Sequence, residues 1–172
     1  MEEQVIDEAF SEIESTHLAQ VNALIVDDSV VARRQVSKML DTFSIPYVSA
    51  TNGKDGLAIL KAQHAQGNPL HIVVSDIEMP GLNGYELAFA IKNDPELSDT
   101  YVILHTSLSS EISVSQANQV GADEALTKFN GNELLRAMSH GAEQYFAKIA
   151  SQPGATQSRT TQASTALPDH QV

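Results

Sequence analysis

Two apolar patterns alternate along the chain. Runs rich in Val, Ile and Leu occur at residues 23–26, 71–76 and 101–106, and a shorter run, Tyr47 to Ala50, lies between the first two, each bounded by polar or turn-forming residues, which predicts strands. A weaker run at 124–127 is read as a fifth strand from its place in the order. Between the runs, apolar residues recur every three or four positions and predict helices. These cover 29–43, with Ala32, Val36, Met39, Leu40 and Phe43 inward, 54–66, with Leu57, Ile59 and Leu60 apolar, then 85–92, 109–120 and 132–149. The last places Leu134, Leu135, Met138, Ala142, Tyr145, Phe146 and Ile149 on one side. Asn52-Gly53 breaks the chain before the second helix, Asp94-Pro95 stops the third and Gly121 ends the fourth. Strand followed by helix, five times over, predicts an α/β domain with a parallel sheet and right-handed crossovers.

The pattern stops at both ends. Residues 1–20 hold Glu2, Glu3, Asp7, Glu8, Glu12 and Glu14 with no Lys or Arg, while Ile6, Ala9, Phe10 and Ile13 recur at helical spacing. Either an acidic linker or a short amphipathic helix that docks on something fits this stretch. The folded body is expected over 21–150. Residues 151–172 are Ser, Thr, Gln, Ala, Gly and Pro with almost no large apolar side chain, too few to offset the entropy of ordering them, and are read as a disordered tail.

Composition narrows the class of partner. Acids outnumber bases 22 to 10, which argues against nucleic acid or an anionic membrane as the main partner. With no Cys there are no disulfides and no thiolate metal sites, and the absence of any long apolar stretch removes support for a membrane span. A cytoplasmic location is therefore expected.

Chemistry concentrates where the strands end. Asp27 and Asp28 follow the first run, Asp76 closes the third before Met79-Pro80-Gly81, Thr106 closes the fourth and Lys128 follows the fifth. In an open α/β sheet the carboxyl edge is where ligands bind. Two carboxylates about 5 Å apart repel by roughly 3 kcal/mol at an effective dielectric near 20, so a converging cluster calls for a cation. Hard oxygen donors select Mg²⁺ or a similar ion. A carboxylate, a hydroxyl, an ammonium and a divalent ion together make a phosphoryl-transfer centre, in which charge spreads over three phosphoryl oxygens.

Val26-Asp27-Asp28-Ser29, Ser75-Asp76-Ile77-Glu78-Met79-Pro80-Gly81, Asn83-Gly84-Tyr85-Glu86, His105-Thr106-Ser107, Gly121-Ala122-Asp123 and Lys128 resemble the receiver domains of two-component response regulators over residues 21–150. The resemblance implies a three-layer flavodoxin-like (βα)5 fold with strand order 2-1-3-4-5. It implies Asp76 as phosphoacceptor, and Mg²⁺ held by Asp27, Asp28, Asp76 and the backbone carbonyl of Glu78. Thr106 would bind a phosphoryl oxygen, and Lys128 would pair with Asp76 and the phosphoryl group. Ile103-Leu-His-Thr-Ser-Leu-Ser109 and Thr127-Lys128-Phe129 are similar to the receiver half of CheV-type chemotaxis coupling proteins, in which residues before Val21 would be an interdomain linker. Two departures stand out: Ala125 replaces the aromatic common three residues before the Lys, and Phe129 replaces the Pro common after it.

The function so implied is acceptance of a phosphoryl group from a partner histidine kinase, of chemotaxis type, and signalling by protein contact with a coupling, receptor-array or motor-switch protein. No enzymatic turnover is expected beyond the chain's own phosphorylation and dephosphorylation. Rival readings are a single-domain regulator outside chemotaxis and a docking receiver that is never phosphorylated. A haloacid-dehalogenase-type phosphatase would need a second Asp where this chain has Glu78, and a flavin phosphate would be repelled by Asp27-Asp28. The Glu78 side chain is also a candidate for tuning attack by water on an acyl phosphate. His17, His64, His71, His105, His140 and His170 show no ligand spacing and are read as surface or strand-edge residues.

Overall fold

In the computed structural model, which describes residues 18–107 and 114–152, the five apolar runs form one parallel sheet. Strands β1 (Ala23–Val26), β2 (Tyr47–Ala50), β3 (Ile72–Ser75), β4 (Tyr101–Thr106) and β5 (Glu124–Thr127) lie in the order β2-β1-β3-β4-β5. The expected flavodoxin-like topology is therefore the observed one. Val26 pairs with Ser75, Ser75 with Leu104 and Thr106 with Thr127, so all carboxyl ends reach the same edge.

The crossovers are α1 (Val30–Thr42), α2 (Gly53–Ala65), α3 (Gly84–Lys92), α4 (Val114–Val120) and α5 (Gly131–Ser151). Local chemistry sets where four of them begin. Ser29, Asn52, Asn83 and Asn130 are N-caps whose side chains accept backbone N–H groups left unpaired in the first turn. Asn83 and Glu86 complete a reciprocal capping box. The expected start at 85 is thus moved to Gly84. Of the expected helix at 109–120, residues 109–113 lie outside the described residues, as do the acidic stretch 1–17 and the tail from 153 onward.

Alternation along the strands supplies two cores, one on each face. Ala23, Ile25, Ile72, Val74 and Ile103 pack with Val36 and Leu40 of α1 and Leu134, Leu135 and Met138 of α5. Leu24, Val26, Val73, Val102 and Leu104 pack with Leu60 of α2, Leu87, Ala88 and Ile91 of α3, and Ala117 of α4. A 3-10 turn at Leu18–Gln20 precedes β1, and Leu18 is buried in the α1/α5 core. Burying the sheet on both faces removes water from beneath its carboxyl edge, where the polar residues collect. Among the described residues, no helix is long and apolar enough to cross a membrane.

Candidate functional site

Each acidic group reaches the edge because its backbone continues the sheet. The Asp27 N–H donates to the Ala50 carbonyl at 3.1 Å and the Asp76 N–H to the Val26 carbonyl at 2.8 Å, extending the ladder one residue past each strand. Lys128 is set in the same way, its N–H donating to the Thr106 carbonyl at 2.6 Å. Asp27, Asp28 and Asp76 are thereby brought together, each with a carboxylate oxygen within 4.8 Å of the others. Asp27 and Asp76 are buried, whereas Asp28 is exposed.

Lys128 stands between two of these carboxylates. Its Nζ lies 2.5 Å from Asp27 Oδ2 and 3.4 Å from Asp76 Oδ1, closer to the first than to the expected partner. Asp76 Oδ1 also accepts the Ile77 N–H at 2.9 Å, and Asp27 Oδ1 accepts the Ser29 N–H at 2.9 Å. Burial, followed by the negative charge of Asp27, raises the Asp76 pKa above the ordinary carboxylate value, against the opposing pull of Lys128.

The groups open onto a cleft of about 480 Å³ lined by Asp28, Asp76, Glu78, Thr106, Lys128 and Phe129, among others. Thr106 is buried at the end of β4, and the Glu78 side chain is exposed at the rim. The donor set suits a hard divalent cation. It gathers three carboxylates, which are hard oxygen donors, and three acids face one ammonium, so the cluster carries uncompensated negative charge that a divalent ion would offset.

Neighbouring contacts hold the edge strand that delivers Lys128. The Tyr101 hydroxyl donates to Glu124 Oε2 at 2.6 Å, Lys92 pairs with Asp123 at 2.7 Å, and Asp123 Oδ2 accepts the Val102 N–H at 2.8 Å. Burial, then the bond to Glu124, pushes the Tyr101 pKa up. The Lys128–Phe129 peptide is cis, with Phe129 where the Pro would stand, and Ala125 is half-buried without an aromatic ring to turn.

Two residues have places that the sequence reading did not give them. Arg33 reaches back from α1 to donate from Nη1 to the Asp27 carbonyl oxygen at 2.7 Å, fixing the β1–α1 turn. An Arg on an amphipathic helix gives no sequence signal for that role. His105, read as a surface or strand-edge residue, is only 2% exposed, and its Nε2 has no hydrogen-bond partner among the described residues. The correction has a simple cause: every residue of β4 is buried, so no position on it is polar by exposure. The His105 ring packs edge-on to Phe129 with centroids 6.0 Å apart, and burial, then the nearby Lys128 charge, pushes its pKa down to about 4.

Comparison with known proteins agrees with this geometry. A family model described as the response regulator receiver domain matches residues 23–140. Chemotaxis protein CheV3 of Helicobacter pylori is 30% identical over 121 residues, covering 67% of this chain and 39% of that protein. Protein PilG of Pseudomonas aeruginosa is 32% identical over 119 residues, covering 69% of this chain and 84% of PilG. The solved chemotaxis response regulator CheY4 of Vibrio cholerae superimposes with a TM-score of 0.61 at 28% identity, over 70% of this chain and 98% of that one. The chain spans less than half the length of the CheV relatives it matches.

Proposed function

The chain belongs to the response regulator receiver domain family, and from that premise we propose that it accepts a phosphoryl group on Asp76 from a partner histidine kinase and signals by protein contact. The observation that carries the reading is the placement of Lys128 Nζ 2.5 Å from Asp27 and 3.4 Å from Asp76, at the mouth of a cleft where three carboxylates meet. Chemotaxis is the setting favoured by the CheV and CheY relatives. The cytoplasm is its compartment, where such a kinase and its ATP are found.

In this mechanism an Asp76 carboxylate oxygen attacks the phosphorus of a phosphohistidine in line. The P–O bond forms as the P–N bond breaks, and the imidazole leaves with the electron pair. Lys128 neutralises charge that builds on the phosphoryl oxygens, and the Thr106 hydroxyl donates to one of them. Mg²⁺, held by Asp27, Asp28, Asp76 and the Glu78 carbonyl, would supply further charge neutralisation at the transferring group. Water then attacks phosphorus, the bond from phosphorus to the Asp76 oxygen breaks and inorganic phosphate leaves with the carboxylate regenerated, so the chain catalyses only its own modification and its reversal.

Incubation with acetyl phosphate and Mg²⁺ followed by intact mass measurement tests this. One added phosphoryl mass is expected for the wild type and none for Asp76→Ala. A wild-type chain left unmodified by acetyl phosphate and by a chemotaxis-type kinase would falsify the reading.

A further inference from the structure

The cations of this acidic protein are unevenly placed. Five of its ten, Arg33, Arg34, Lys38, Lys54 and Lys61, lie on α1 and α2, the helices on either side of the edge strand β2. Between α1 and β2 is a groove of about 210 Å³ lined by Val30, Arg33, Arg34, Ser37, Tyr47 and Ser49. It joins apolar surface to two guanidinium groups and three hydroxyls. Val30 is 52% exposed and its neighbour Val31 67%, a high exposure for β-branched side chains on a helix. Among the described residues, Arg34 and Lys38 form no ion pair. Asp41 and Asp55 interrupt the positive charge of the same two helices, so the face is not a broad footprint for a polyanion.

One segment of this chain has the complementary chemistry. Residues 1–17 carry six acids and no Lys or Arg, and set Ile6, Phe10 and Ile13 among them, with Glu8 and Glu12 two positions either side of Phe10. The described chain starts at Leu18, whose side chain is buried in the core layer that α1 helps to cover. Eight residues from Phe10 to Leu18 span at most about 28 Å when extended, longer than the whole of α1, whose 13 residues rise about 20 Å.

We propose that the groove between α1 and β2 binds the chain's own acidic N-terminal segment, with Phe10 against Val30 and Tyr47 and its flanking acids on Arg33 and Arg34. Occupancy brings a carboxylate to the guanidinium that holds the Asp27 carbonyl, and so links the segment to the β1–α1 turn. Docking of this segment does not depend on phosphoryl chemistry at Asp76, and its failure would leave that reading intact.

The chain has no Cys, so Ser11→Cys gives a single attachment point for a nitroxide spin label on the full chain. In isotopically labelled protein, the backbone amide signals of Val30, Arg34, Ser37 and Ser49 are expected to lose most of their intensity. Adding Phe10→Ser, or separately Arg34→Glu, should restore them. Raising salt to about 1 M, where the Debye length is about 3 Å, should weaken the effect as well. Unchanged intensities at those amides would overturn the proposal, as would broadening centred on α4, β5 and α5. Broadening of unmodified labelled chain by added spin-labelled chain would also overturn it, since the occupant would then be a second copy.

Discussion

At position 105 a histidine fills a buried site on β4, and its Nε2 has no hydrogen-bond partner among the described residues. Such a group costs about 1–3 kcal/mol in lost hydration. His105→Val should accordingly stabilise the fold at neutral pH by about 1 kcal/mol after its smaller volume is allowed for, read as a higher urea midpoint. The same residue makes the wild type acid-sensitive. Its native pKa of about 4 lies below the ordinary 6.5, so the unfolded chain takes up the proton first and stability falls as pH drops through that window. The loss is of the order of 3 kcal/mol across it, and His105→Val should remove that slope in midpoints taken at several pH values. Asp76 has the opposite sign. Its pKa is raised in the native state, so the native carboxylate costs stability as pH rises above the ordinary carboxylate range. Without divalent ions, Asp76→Asn should melt above the wild type at pH 7, and the difference should shrink toward pH 4.

Gly84, the first residue of α3, ties that helix to the loop carrying Asp76. Its N–H donates to the Ile77 carbonyl at 2.8 Å, and a Cβ there would overlap the Asp76 carbonyl oxygen and stand 2.8 Å from Ile77 Cα. Backbone cannot give way as a flexible side chain can. Gly84→Ala should cost about 1–3 kcal/mol in urea unfolding, and should slow acetyl phosphate labelling because the strain falls on Asp76 itself. At this scale the fold was legible: the central strands are continuous β-branched runs, which only burial on both faces explains, and even the weakly apolar β5 lies at 124–127 as its place in the order predicted. The convergence of Asp27, Asp28, Asp76, Thr106 and Lys128 was legible for the same reason, because each ends a strand of a parallel sheet. Helix starts shifted by a residue, since apolar spacing does not locate a cap. Arg33 and His105 were not legible: one acts through a backbone carbonyl six residues back, and the other is polar on a strand whose exposure depends on tertiary packing.

Across the whole molecule, a divalent cation held at the acidic edge would couple metal binding to stability. A ligand that binds only the native state at a hundred times its Kd adds about 2.7 kcal/mol. Mg²⁺ should therefore raise the melting temperature of the wild type, and raise it far less in Asp28→Asn, an exposed position whose loss leaves the core untouched. The Asp27–Lys128 pair has another consequence, because its members are 101 positions apart. At 5–20 residues per second, a ribosome takes roughly five to twenty seconds to make the stretch between them, and for that time the acidic turn exists without its counter-charge. If Asp76 is the phosphoacceptor proposed above, a nascent chain lacking Lys128 would be a poor acceptor. On the proposed reading, phosphorylation of Asp76 would then require a chain extended at least past Lys128.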